Sequence, residues 1–336
     1  SLDTAKAGAM RFNTDSSQLE IYDGNQWTGI LGDSPQLQTG STRGFRTGGY
    51  KASPWSDMID QINIDTTGNA IDFGNLSFGH SSTGQGFASR TRGCTAGGAT
   101  PSNSDVIDFV TMSSQGDAVD FGNLTVTGHG ISMCINDSTR GVFAGRTGGS
   151  PSTFRNTIDY ITIASTGDAK DFGDISPHIV RNVFGGSSPT RGVFGLGFNG
   201  SADTNTINLL TISTLGNTAD FGDLVFSGRY GCGGSNAIRC LMTKGNGSVN
   251  TVNFVTIATL GNASDFGDLT QTSSTQLPCM ATSSTRAVRV GGQDPAFTNR
   301  MDYAQIMTTG NFIDFGDAVE SKSGRASLSN GHGGLG

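Results

Sequence analysis

The chain has 336 residues, 51 of them Gly, with only 34% hydrophobic residues and a net charge of −7. That length allows two average domains or one large all-β domain, and the acidic balance disfavours an electrostatic grip on nucleic acid. No apolar run reaches the roughly 20 residues that span a bilayer, so membrane insertion is not expected.

All but two of the 28 acidic residues are Asp; the exceptions are Glu20 and Glu320. Glu suits helix interiors, whereas Asp and Gly suit turns, so the composition points to strands and tight turns. The opening "SLDTAKAGAM" lacks the charged-then-apolar organisation of a secretory signal, so Sec-type export is not indicated. Residues 8–30, "GAMRFNTDSSQLEIYDGNQWTGI", alternate apolar and polar side chains around "NTDSSQ". They read as a β-hairpin, a turn and a short strand, too small to fold alone. Residues 31–41 read as a linker.

From residue 42 onward the chain repeats itself. Each copy opens with an Arg (Arg43, Arg92, Arg140, Arg191, Arg239, Arg286) and continues through a Gly-rich loop to a strand-like run such as "TIDYITI". A Gly-Asn or Gly-Asp pair then precedes Asp-Phe-Gly, whose Asp recurs as Asp72, Asp120, Asp171, Asp220, Asp265 and Asp314. Asp-Phe-Gly also holds magnesium in protein kinases, but their Gly-rich loop, strand lysine and His-Arg-Asp companions are missing, and six copies mean architecture.

Twelve residues separate the Asp or Asn of the strand-like run (Asp60, Asp108, Asp159, Asn208, Asn253, Asp302) from the Asp of Asp-Phe-Gly in every copy. The constant spacing predicts a rigid hairpin, with Gly-Asn as its two-residue turn. Repeats of about 49 residues, with strands apolar on both faces, predict an all-β fold: a six-bladed β-propeller of four-stranded blades over 42–336. A β-solenoid is the alternative. The repeated Arg is expected to pair with the Asp of Asp-Phe-Gly while the Phe fills the core between blades. A ring of six arginines binding an anion in the central channel is the functional alternative.

The five cysteines read as small buried hydrophobes rather than a disulfide or metal framework. No cofactor and no metal site is expected: His80, His129 and His178 fall in three different repeats without ligand spacing. Asp168, Asp171 and Asp174 could hold Ca²⁺, although Asp at such positions more often stabilises turns. "GLGFNG" at 195–200 matches a dinucleotide fingerprint but precedes no helix.

The loop between the Arg strand and the next varies most in length, and it shares a face with the segment after Asp-Phe-Gly. Insertions and binding residues collect at such places. The candidate binding residues are Tyr50, Trp55, Arg146, Phe154, Arg155, Phe198 and Phe297 in the first set of loops, with His80, His129, His178 and Arg229 in the second. Such side chains can stack on sugars or grip a protein, or simply pack locally.

"MRFNTDSSQLEIYDGNQW" resembles a short module of bacteriophage tail-fibre and other virion proteins, where it lies in trimeric stalk or attachment regions. The units "TRGVFAGR…NTIDYITIASTGDAKDFGDI" and "TRGVFGLG…NTINLLTISTLGNTADFGDL" are similar to kelch-like repeats in virion proteins of cyanobacterial and marine phages. The resemblance implies a non-enzymatic structural protein of the phage particle, in the tail or fibre. It would be a homo-oligomer, for instance a trimer, contacting other virion proteins. The propeller loops would bind a host cell-surface receptor or glycan for attachment. A purely structural decoration or assembly part, and a polysaccharide depolymerase, are the alternatives.

Overall fold

The computed structural model describes residues 6–13, 18–29, 42–51, 55–79, 86–99, 102–128, 133–144, 147–148, 153–154, 156–175, 183–195, 197–247, 249–273, 278–293, 295–323 and 326–336. The chain divides into two compact units, Ser1–Gly40 and Ser41–Gly336.

The small unit is a three-stranded antiparallel sheet of Met10–Asn13, Gln18–Tyr22 and Trp27–Gly29. One face is polar and closed on itself: Arg11 pairs with Glu20 at 2.7 Å, Asn13 donates to the same carboxylate, and the Arg11 guanidinium lies 4.3 Å from the centre of the Trp27 ring. These hydrogen bonds hold the Glu20 carboxyl below the usual carboxylate range. Met10 and Phe12, on the other face, are exposed.

In the large unit, the described strands form six four-stranded antiparallel sheets in a propeller-like arrangement and one two-stranded ribbon of Thr147–Gly148 and Thr153–Phe154. In the second sheet the order from inside out is Gly86–Ala88, Arg92–Ala99, Asn103–Thr111 and Val119–Gly128. The others follow suit: an inner strand, then the Arg strand, the strand carrying the Asp or Asn, and the outer Asp-Phe-Gly strand. The sheet thus begins one strand earlier than the sequence repeat. The inner strand of the first sheet comes from the far end of the chain, where Ala326–Ser329 pairs antiparallel with Arg43–Gly49. That pairing accounts for the departure of the last segment from the repeat, because its "ASLS" completes the sheet that residue 43 opens.

Each pair of neighbouring sheets encloses one apolar cluster, and so do the sixth and first. At that last seam Ile62 and Ile64 pack with Val288, Met301 and Phe315. The Phe of each Asp-Phe-Gly enters its cluster because the pairing slips by one residue there. Asp120 sits opposite Asp108 and Gly122 opposite Ile107, so Phe121 is the extra residue of a β-bulge. A bulge bends the strand and redirects the side chain, and here it buries Phe121 to 2% exposure.

The twelve-residue spacing is a register. Asp60 pairs with Asp72, Asp159 with Asp171, Asn208 with Asp220, and Asp302 with Asp314. The Gly-Asn pair, however, is not the hairpin turn. The turn forms earlier, for example where the Ser165 N–H bonds the Thr162 carbonyl, and the Gly docks on the preceding sheet. Gly167 donates to the Phe121 carbonyl at 2.8 Å, Ala169 to the Asn123 carbonyl, and the Asp168 carboxylate accepts the Asn123 N–H at 2.9 Å. Gly122, at φ 147°, lies so close that a β-carbon there would meet the Gly167 carbonyl at 2.5 Å. Only glycine combines that backbone with that approach.

Candidate functional site

The expected pairing of the repeated Arg with the Asp of Asp-Phe-Gly is not what the structure contains. Arg92 donates to the Ile163 carbonyl, Arg140 to Ile212, Arg191 to Ala258, Arg239 to Ile306 and Arg286 to Asp65, each acceptor lying just past the third strand of the following sheet. Arg43 reaches Met112 in the same way. The guanidinium also lies over an aromatic ring of its own sheet: Arg140 is 4.8 Å from the Tyr160 ring centre, Arg239 4.5 Å from Phe254. The Arg therefore satisfies main-chain acceptors at the end of a neighbouring strand, as a buried polar group must. With their guanidinium groups on these carbonyls, the six do not form an anion ring in the channel. Asp72, Asp120, Asp171, Asp220, Asp265 and Asp314 are exposed.

The buried acid is the one on the third strand, and its partner comes from the preceding sheet. The Asp108 carboxylate accepts from the Ser77 hydroxyl and N–H, Asp159 from the Thr125 hydroxyl, and Asp302 from the Thr270 hydroxyl at 2.6 Å. Burial pushes the Asp108 carboxyl up from its ordinary value. In the fifth sheet the acceptor is the neutral Asn253, and the donor position on the fourth sheet is Val225, which offers only its N–H. Two seams add a fully buried Arg: Arg46 on Asp60, and Arg289 on Asp302 at 3.3 Å. Between the sixth and first sheets, Lys322 joins them. Its ammonium donates to the Ser56 hydroxyl at 3.0 Å, and burial together with Arg46 pulls its pKa down to about 8.

Along the middle, the last residue of five of the six inner strands hands a hydrogen bond to the strand before it. Ser187 Oγ donates to the Asn136 carbonyl, Ser235 Oγ to Ser187 and Thr282 Oγ1 to Ser235, all at 2.8 Å. Asn136 donates to Ala88 and Ser329 to Thr282. Ala88, at the equivalent place, has no side-chain donor; its own carbonyl, already bonded by Asn136, is also met by His332. Its Nε2 donates to the Ala88 carbonyl at 2.8 Å and its Nδ1 accepts the Gly334 N–H at 3.0 Å. Burial holds its pKa down to about 4, the neutral form that this pair of bonds requires. The turn Gly333–Leu335 thus seats against one end of a cavity of about 50 Å³ lined by Gly and Ser of the inner strands.

The loops between second and third strands leave the sheets at the opposite end, together with the links from outer strand to next inner strand. Two side-chain groups form there. Tyr50 and Phe297 meet edge to face at 5.5 Å. Between the fourth and fifth sheets, Arg229 stands over Phe198 at 4.4 Å and over Tyr230 at 5.4 Å, and its Nε forms an ion pair with Asp203 at 3.1 Å without the alignment of a hydrogen bond. Trp55 lies apart and half-buried, its carbonyl close against Gly79. Arg146, Arg155, His80, His129, His178 and the side chain of Phe154 lie outside the described residues. Sequence reading missed Asp203, Tyr230, Lys244 and Asn246. The signal for them was Tyr-Gly and Lys-Gly-Asn-Gly in segments of irregular length.

Cys94, Cys232, Cys240 and Cys279 are buried free thiols, and burial raises their pKa values, that of Cys279 to about 12. Among the described residues no three His, Cys, Asp or Glu gather as metal ligands, and Asp168, weighed above as a calcium ligand, is held by Asn123. No protein-family model matches the chain, and no curated protein matches it significantly.

Proposed function

We propose that the six sheets are the blades of a closed six-bladed propeller. We propose further that the protein binds, without catalysis, a host cell-surface glycan or receptor through the face carrying the long loops. The observation that supports this most directly is a division of labour. The repeated Arg and the Phe and Gly of Asp-Phe-Gly are all engaged in joining one sheet to the next. The irregular loops of one face instead gather half-exposed aromatic and cationic groups, Tyr50 with Phe297 and Phe198 with Arg229 and Tyr230. Rigid scaffolds carry recognition on such loops. The buried carboxylates of the third strands are engaged with neighbouring donors, which leaves them no part in acid–base chemistry on a ligand.

The resemblance of residues 10–27 and of the repeats to phage proteins supports placing this activity on a virion, in a tail or fibre. A second reading, a purely structural virion part, is favoured by the exposed Met10, Phe12 and Leu19 of the small sheet, which suit contact with other virion proteins. A glycan array and a cell-binding assay with the full chain separate the two. Saturable binding weakened by substitutions at Phe198 or Tyr50 supports recognition, and a chain that binds neither cells nor glycans supports the structural role.

A further inference from the structure

We infer that the seam between the fourth and fifth sheets holds a subsite for the carboxylate of an acidic sugar, with the Arg229 guanidinium as its receptor. This rests on the glycan-binding reading above and adds to it a place and a ligand class.

The side chains there are built as a fixed fork. Arg229 Nε faces Asp203 Oδ1 at 3.1 Å, and Asp203 Oδ2 accepts from Asn246 Nδ2 at 2.7 Å. Asn246 Oδ1 in turn accepts the Arg229 backbone N–H at 3.0 Å. The head group is held beside the Phe198 and Tyr230 rings, so its rotation is restricted. Asp203 lies nearest Nε, at ion-pair distance but without hydrogen-bond alignment. The two Nη groups have no acceptor among the described residues, and the side chain is 28% exposed. A planar pair of donors with restricted rotation is the geometry that binds a carboxylate in two-point fashion.

Two further observations point to a ligand. Tyr230 has φ 65°, the one non-glycine residue among those described with a positive φ. Strain of this kind persists where the surroundings enforce it and clusters at binding sites. The enforcing contacts are visible: Gly245 donates to the Arg229 carbonyl, and a β-carbon on Gly231 would collide with the Thr243 carbonyl. The second observation is charge. Lys244, whose stem lies against Gly228 and whose Nζ is 6.0 Å from the Phe226 ring centre, has no carboxylate partner among the described residues. Arg229, Lys244 and Asp203 leave this spot positive on a chain of net charge −7, so an anion is favoured locally. Phe198 and Tyr230 are half-exposed beside the fork and offer apolar surface to the C–H face of a pyranose. An acidic peptide would use the fork but not the rings.

Titration calorimetry of the full chain with trigalacturonate, maltotriose and triglutamate tests this. Trigalacturonate is expected to bind most tightly. Arg229→Lys, which keeps the charge but removes the fork, is expected to weaken it about tenfold with the melting temperature unchanged. Tyr230→Gly, which relieves the strain and removes a ring, should be at least as stable and bind more weakly. Equal binding by Arg229→Lys, or triglutamate binding as tightly as trigalacturonate, overturns the inference. Cell or neutral-glycan binding that ignores both variants overturns it too while leaving the loop-face reading intact. Absence of all glycan and cell binding overturns both.

Discussion

Gly316, in the last Asp-Phe-Gly, lies against the Gly68 carbonyl of the first repeat, where a β-carbon would be 2.5 Å from the oxygen. The contact is the one that joins Gly122 to Gly167 and Gly222 to Gly261 elsewhere. Because φ is 142° at Gly316, alanine would be strained as well as obstructed by main chain that cannot rotate away. Gly316→Ala is expected to cost about 2–3 kcal/mol and to lower the melting temperature by several degrees. Gly310→Ala separates the two effects. Its φ is 156° but nothing lies near its β-position, so it should cost less. Equal losses in calorimetric melts would show that the close approach contributes nothing.

The repeated Arg and the repeated exposed Asp should respond differently to mutation. Arg140 bonds the Ile212 carbonyl at 2.8 Å and covers Tyr160, so Arg140→Ala leaves a strand-end acceptor without its donor. A loss of about 1–3 kcal/mol is expected. Asp171 is exposed at the surface, and Asp171→Asn is expected to change stability by less than about 0.5 kcal/mol. Urea unfolding of both variants checks this. A loss on Asp171→Asn as large as the loss on Arg140→Ala would restore an Arg–Asp pairing.

Periodicity reports that Arg140 and Asp171 recur together, but recurrence is not contact. The Arg reaches a main-chain oxygen, which no side-chain pattern encodes. The strand register was legible, because Asp159 opposes Asp171 just as Asp60 opposes Asp72 and Asn208 opposes Asp220. The turn was not, since Gly167 looks like a hairpin glycine until its neighbour across the seam is known. The origin of the first inner strand was hidden for the same reason: Ala326–Ser329 is short, degenerate and remote in sequence from Arg43. Of the proposed binding face, the aromatics at Tyr50, Phe198 and Phe297 could be named from loop length. Arg229 was named as well, but the Asp203–Asn246 bracing that gives it direction depends on two loops meeting.

His332 should make the fold sensitive to acid. Its pKa, held down to about 4 by burial and by the Arg90 charge against the opposing pull of the Ala88 bond and Asp137, lies below the ordinary 6.5. The unfolded chain therefore binds this proton first as pH falls. The stabilisation is complete above about pH 6.5, is lost progressively between 6.5 and 4, and changes no further below that. The full swing is about 3 kcal/mol. His332→Gln should be less stable than the parent at pH 7, with the gap closing by pH 4. A gap that stays constant across that range would mean that His332 does not titrate with unfolding.

The charged seams carry a sharper test. Arg289 and Asp302 are fully buried, and Asp302 also holds the Thr270 hydroxyl. Removing one partner leaves the other charge buried and unpaired, so Arg289→Met alone is expected to cost about 3–5 kcal/mol. The fifth sheet already shows a neutral solution at the same two places, Met242 beside Asn253, both fully buried. Copying it, with Arg289→Met and Asp302→Asn together, removes both charges while the Thr270 hydroxyl keeps an acceptor in the carbonyl of the introduced amide. The double variant should recover most of the loss, a coupling of about 2 kcal/mol or more in a double-mutant cycle. Additive losses would mean that the seam depends on the ion pair itself, and that the Asn copies elsewhere are tuned to their own neighbours rather than interchangeable with Asp.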